Sequence, residues 1–220
     1  MSEVTVVDYG TGNMFNVVCA LRHCGMDVNV TPSPSEVGNA KRLILPGVGA
    51  FGEGMIELRR QGLVDPLIQH AKAGKPLLGI CLGMQMLLDE SEEFGLHEGL
   101  RIIPGRVVRI PDSGTDGRPH PVPHVGWSEL LLPRNLSDND WSASLLDGIA
   151  PQNSVFFVHS YYGQRIPTDY LMADCHYHGR ELPAVIRKGS VYGVQFHPEK
   201  SGPVGLKIIK NFLSLGDRSS

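Results

Sequence analysis

The sequence predicts an α/β fold: an open, mostly parallel, doubly wound sheet with helices on both faces and antiparallel strands added in the second half. Three observations predict it. Up to about residue 94, short β-type runs alternate with stretches of helical periodicity, the pattern of βαβ units. The first of these runs reads as a strand buried on both faces. Beyond residue 100 the chain changes to many short β-type runs, and helical periodicity returns only near the end.

The elements follow in order. "EVTVVDYG" (3–10) reads as a buried strand ending in a glycine turn. In "NMFNVVCALRHCG" (13–25), Met14, Val17, Val18 and Leu21 recur at helical spacing, and Gly25 stands where a C-terminal cap belongs. "MDVNVTP" is a second strand, closed by Pro32, and "KRLILPG" (41–47) a third. Residues 52–74 are helical in pattern, with a break expected near Pro66. "KPLLGI" (75–80) is a fourth strand, and "GMQMLLDESEE" (83–93) has helix-forming composition. Five β-type runs follow at 101–110, 154–162, 171–177, 183–189 and 191–196, then a closing helix at 202–215. Residues 111–124 and 133–144, rich in Pro, Gly, Asp, Asn and Ser, read as surface loops. No internal repeat is present, and residues 1–220 read as a single domain.

Composition narrows the function. Hydrophobic residues at 41% and charged residues at 20% are those of a soluble globular chain. A net charge of −3 gives no footprint for nucleic acid or an anionic membrane, and no apolar stretch is long enough to span a bilayer. The cysteines Cys19, Cys24, Cys81 and Cys175 lack metal-like spacing and fit free thiols in a reducing compartment, which points to the cytoplasm. Cys175, His176 and His178 raise a metal reading, but their run alternates as a strand and no second ligand pair accompanies it. No metal and no cofactor is expected.

The chemistry centres on "GICLG" (79–83), of the form G-x-nucleophile-x-G. A strand that turns sharply into a helix exposes such a residue above the carboxyl ends of the strands, and flanking glycines let backbones pass closely. A helix N-terminus favours thiolate, and the Leu82 N–H can hold an oxyanion. The competing reading is a cysteine buried in a packed turn. A thiol nucleophile needs a base and the base an orienting group. "GVQFHPEKS" (193–201) supplies His197 and, two residues on, Glu199, which extended backbone would project to the same side. His159 in "FVHSYY" lacks a neighbouring carboxylate and reads as structural or pocket-lining. The glycine-rich loop Pro46-Gly47-Val48-Gly49 reads either as a plain βα turn or as a source of a second oxyanion donor, from Val48 or Gly49.

"PGVGAF", "GICLGMQML", "PHVGW", "VHSYY" and "GVQFHPEKSG", in this order, resemble the class I (triad-type) glutamine amidotransferases. Within that class the chain is most similar to the glutaminase subunits of imidazole glycerol phosphate synthases, of histidine biosynthesis. The resemblance implies a flavodoxin-like sheet. It implies that Cys81 attacks the side-chain amide of L-glutamine, that His197 activates the thiol and protonates departing ammonia, and that Glu199 orients His197. Gln85 and Glu93 match glutamine-contacting positions, with the backbone of Ser160 and Tyr161 lining the same pocket. The ammonia would pass to a (β/α)8-barrel cyclase, which makes imidazole glycerol phosphate and AICAR, in a heterodimer whose interface holds Asn13, Trp127 and Lys200. Trp127 reads otherwise as a core or turn-packing aromatic. Phe156 where the family often has tyrosine, Pro183 inside a strand, and a long 112–123 loop depart from the pattern. They leave room for a paralogous subunit that feeds ammonia to a sugar amidotransferase. A non-enzymatic scaffold is the third reading, and the intact cysteine, histidine and glutamate set speaks against it.

Overall fold

In the computed structural model the described residues are 3–10, 14–133, 136 and 141–215. The first strands are β1 (Glu3–Val7), β2 (Asp27–Thr31), β3 (Leu43–Leu45) and β4 (Leu77–Ile80), and all pair in parallel. Between them run α1 (Met14–His23), α2 (Pro34–Asn39), α3 (Phe51–Arg60) and α4 (Val64–Lys72), with α5 (Leu82–Met86) directly after β4. From the second half come β11 (Leu171–Tyr177), β12 (Arg180–Lys188) and β13 (Val191–Val194), which complete a seven-stranded sheet in the order β11-β12-β13-β4-β3-β1-β2. β13 lies parallel to β4, while β12 and β11 are antiparallel additions.

The central strands bury both faces. Val4, Val6, Leu78 and Ile80 face a core shared with Val17 and Leu21 of α1 and with Ile208 and Phe212 of α6 (Gly202–Leu213). Val7, Leu45 and Leu77 face the other core, with Met55 and Leu58 of α3, Leu67 of α4 and Met84 of α5. This continuous apolar run, turned alternately to two helical layers, is why the sequence reads as a parallel sheet. No helix among the described residues is long and apolar enough to cross a membrane.

The other strands form two small sheets. β5 (Glu90–Ser91), β6 (His97–Glu98), β7 (Arg106–Arg109) and β10 (Tyr161–Gln164) make one, and β8 (His124–Glu129) pairs with β9 (Ser154–His159) in the other. The expected single run at 154–162 is therefore two strands in two sheets, divided at Ser160.

The 52–74 stretch is two helices, divided at residues 61–63, where Gly62 has φ +68°, just before Pro66, which itself sits in the first turn of α4 where no amide hydrogen is needed. Several expectations are corrected. The 83–93 helix ends at Met86. Its terminal carbonyls are taken by other amides: Leu100 N–H donates to Met86 O, and Ile102 and Ile103 N–H to Leu87 O. Tertiary hydrogen bonds here override good helix propensity. The sequence reading passes over α2, although Ser33 caps it by accepting from the Glu36 N–H, a serine–glutamate spacing visible in "SPSE". It also passes over β8, whose first residue His124 falls in the expected 111–124 loop. The 133–144 stretch is not all surface: Trp141 is buried and donates its indole N–H to Met172 O.

Pro183 sits in β12 opposite Asp174 of β11. Asp174 directs its own N–H and C=O away, to Leu131. A proline at that position removes no ladder bond, so the departure is structurally harmless.

Candidate active site

The sheet order builds the site. β4 and β13 are parallel neighbours in register, Ile80 beside Val194, so the residues after each strand emerge side by side. Cys81 follows one and reaches Val194 O with its N–H at 2.8 Å, while His197 follows the other. β3 flanks β4 and ends in Pro46-Gly47, which brings the glycine loop to the same edge. Open α/β sheets bind ligands at this end of their strands.

Cys81 adopts φ 54° and ψ −109°, a conformation costly for a side-chain-bearing residue. The turn closes because its neighbours are glycines. A Cβ on Gly83 would lie 1.8 Å from Leu45 O, and one on Gly79 would lie 2.7 Å from the Gly83 carbonyl. The strained strand-to-helix elbow expected for G-x-nucleophile-x-G is thus present. The helix behind it has only five residues, so its dipole favours thiolate less than the expected longer helix would.

His197 and Glu199 meet through His197 Nδ1 and Glu199 Oε1 at 2.8 Å, with side chains only 4% and 3% exposed. The route differs from the expected extended backbone. Residues Pro198–Lys200 form a 3₁₀ turn, which closes a two-residue spacing that extended chain would hold too far apart. Burial is the largest influence on the His197 ring and opposes its charge, but Cys81 and then Glu199 outweigh it and raise the pKa to about 9. The folded-state value lies above the ordinary 6.5, so the charged ring stabilises the fold fully below that pH and the contribution fades as pH rises through about 9. Unfolding free energy measured in urea is expected to fall across this window, and Glu199→Gln to flatten the fall. A wild-type slope no steeper than the variant's would count against the pairing.

A cavity of about 340 Å³ joins Val48, Gly49, Cys81, Leu82, Gln85, Glu93, Ser160, Tyr161, His197 and Lys200, with Pro123, Val158 and His159. Glu199 stands behind His197. Glu93 accepts the Phe51 N–H at 2.6 Å, and burial, partly offset by that bond, raises its pKa. Gln85 donates its amide to Tyr161 O at 2.9 Å and to Gln195 Oε1 at 3.0 Å. The Leu82 N–H donates to Gly47 O at 3.3 Å. Trp127 lies apart on β8, 58% exposed, with Phe156 edge-on at 6.0 Å. That exposure excludes the core reading. Asn13 lies outside the described residues. Among the described residues no group of three or more His, Cys, Asp or Glu could hold a metal ion. Cys175 is buried in the core, where burial pushes its thiol pKa up.

Sequence reasoning misses Gln195. It is fully buried and donates to Cys81 Sγ at 3.8 Å. A polar residue inside the apolar run "VYGVQF" needs a buried partner, and that is the available signal. The same reasoning misses that His159 bonds to His124, at 3.1 Å.

A family model described as "Glutamine amidotransferase class-I" matches residues 5–215. The chain is 47% identical over 215 residues to "Imidazole glycerol phosphate synthase subunit HisH 1" of Legionella pneumophila (strain Paris), covering 98% of this chain and 100% of that one. It is 46% identical over 212 residues to the subunit HisH of Geobacillus sp. (strain WCH70), covering 96% of each. Among solved structures, PurLQS from Thermotoga maritima superposes with a TM-score of 0.71 at 18% identity, over 96% of this chain and 97% of that one. A second solved structure, a glutamine amidotransferase, gives 0.70 at 19% identity, over 96% and 97%. These distant structures share the fold. With a family match across nearly its whole length and full-length relatives at such identity, the chain belongs to the class I glutamine amidotransferases, in the company of the HisH subunits.

Proposed function

We propose that the chain is the glutaminase subunit of an imidazole glycerol phosphate synthase, a single amidotransferase domain working in the cytoplasm. The observation that carries the chemistry is the buried His197–Glu199 pair beside Cys81 in one cavity. The pathway rests on the similarity to HisH subunits.

Cys81 sulfur attacks the side-chain amide carbon of L-glutamine, and the carbonyl oxygen becomes an oxyanion. His197, charged in the resting site, gives its proton to the departing nitrogen, and ammonia leaves a γ-glutamyl thioester. Water then attacks the thioester with His197 as base, releasing glutamate and the sulfur. Glu199 holds His197 by Nδ1 so that Nε2 faces the cavity. Glu93 receives the substrate ammonium, and Gln85 with the Ser160–Tyr161 backbone holds the rest. The oxyanion falls to Leu82 N–H and to an amide of Val48 or Gly49. Leu82 N–H already bonds Gly47 O, so the loop must release it before both donors face the substrate.

Ammonia passes to a partner of (β/α)8-barrel form, with Asn13, Trp127 and Lys200 at the contact. Exposed tryptophan suits such an anchor. Pro183, one motive for a sugar-amidating partner, is accommodated at an irregularity in the β11–β12 pairing, within a strand that continues on both sides of it. The test is glutamate release by the purified chain with and without its cyclase. Slow release alone is expected, rising on the order of 100-fold when the cyclase carries its nucleotide ligand. A cyclase that neither binds nor stimulates would overturn the pathway.

A further inference from the structure

The Tyr161 carbonyl oxygen accepts two hydrogen bonds, from Gln85 Nε2 and from His159 Nδ1, each at 2.9 Å. A carbonyl only accepts, so His159 Nδ1 carries a hydrogen. The ionisable groups around the two rings are His197, His178 and each other, all cations when charged, and the Tyr177 phenol stacked on His124, which burial keeps neutral; no carboxylate bonds to either ring among the described residues. His159 is therefore neutral and its Nε2 is a lone pair. His124 Nδ1 stands 3.1 Å from that lone pair and must donate to it. The remaining nitrogen of His124, Nε2, then accepts from the Ser128 hydroxyl at 2.9 Å. The carbonyl fixes the hydrogen on His159 Nδ1, and with both rings neutral the other two directions follow. Burial agrees with this geometry, since it pushes His159 down to about 3 and His124 to about 4.

Beyond Tyr161 the chain continues. With its two N–H bonds committed to Tyr161 O and Gln195 Oε1, the Gln85 amide has only its oxygen left for a ligand. Gln195 in turn donates to Cys81 Sγ. Packing holds the outer ring: His124 stacks on Phe157 at 4.9 Å and on Tyr177 at 4.1 Å.

We propose that His124 and His159 are a positioning pair for substrate binding. Locked neutral in the Nδ1–H form, they fix the Tyr161 carbonyl, which with Gln195 aims the Gln85 oxygen at glutamine. The inference rests on the glutaminase reading and adds to it two residues that touch no reacting atom.

Two measurements test it. In the full chain labelled with 15N-histidine, long-range 1H–15N spectra are expected to show both rings neutral and protonated at Nδ1 between about pH 5.5 and 8.5. A charged ring, or a hydrogen on Nε2 of either, overturns the proposal. In glutaminase assays of the chain with its cyclase, His159→Ala is expected to raise the glutamine KM about ten- to thirtyfold and to lower kcat less than about threefold. His159→Asn keeps a donor near the Nδ1 position and is expected to return KM to within about threefold of wild type. An unmoved KM in His159→Ala, or a fall in kcat alone, overturns the pair's role. Should either variant fail to fold, the spectra of the unmodified chain still decide. Absence of glutamate release by wild type would sink the glutaminase reading, whereas normal wild-type release with an unmoved KM sinks this inference alone.

Discussion

Cys81→Ala is expected to bring glutamate release down by at least about 10⁴-fold while leaving the fold and partner binding intact. Cys81 supplies the only thiol among the described residues lining the cavity, and no neighbour of like nucleophilicity replaces it. Its structural share is separate. The sulfur accepts a long contact from Gln195 Nε2 at 3.8 Å, lies 3.9 Å from Val158 O, and favours charge on the buried His197 ring. Cys81→Ala is therefore expected to flatten the fall in stability between pH 6.5 and about 9, because the ring loses that partner. Cys81→Gly separates the two roles further. It is equally inactive, yet glycine accepts φ 54°, ψ −109° without the penalty a Cβ brings. A gain of about 1 kcal/mol in urea unfolding is expected for Cys81→Gly over Cys81→Ala. Glutamate release at the wild-type rate by either variant would refute the nucleophile, and equal stability of the two would refute the strain.

Gly83→Ala is expected to cost more than any other single methyl in the site. Two effects compete. Helix propensity favours alanine by about 1 kcal/mol. Against it, the new Cβ would lie 1.8 Å from Leu45 O and 2.9 Å from Leu45 C, and both are backbone of a central strand. β3 is bonded on both sides, to β1 and β4, and cannot retreat. The clash wins, with an expected loss of at least about 3 kcal/mol in urea unfolding and of glutamine turnover with it. Gly38→Ala in α2 is the control. Nothing lies within 4 Å of its Cβ, and there propensity is expected to act unopposed as a small gain. A Gly83→Ala protein as stable as wild type would mean that α5 can shift away from β3, and the tight elbow would lose its explanation.

What is legible in the sequence is local or strongly periodic. Apolar runs name the first four of the parallel strands, and the glycines around Cys81 name the elbow, because a turn's steric demands fall on the residues that make it. The pairing of His197 with Glu199 is legible from spacing, though by the wrong backbone: a 3₁₀ turn brings them together. What escapes depends on segments distant in the chain. The 83–93 helix stops at Met86 because amides of residues 100–103 take its carbonyls, and nothing within 83–93 signals that. His159 reads as pocket-lining and does line the cavity, but its bond to His124 requires β8 and β9 to pair in one register, His124 opposite His159. Trp127 turns on burial, which a single residue type does not reveal.

The change of sheet at Ser160 has an evolutionary consequence. β9 ends at His159 and β10 starts at Tyr161, so one residue carries the chain between two sheets. Side chains on a strand alternate faces, and a single inserted residue there would turn His159 away from His124 or Tyr161 away from Gln85. Homologues should therefore tolerate insertions and deletions at the exposed tip of the 112–123 loop, residues 116–118, where the backbone doubles back on itself through the Ser113–Pro119 bridge, and none between residues 157 and 163.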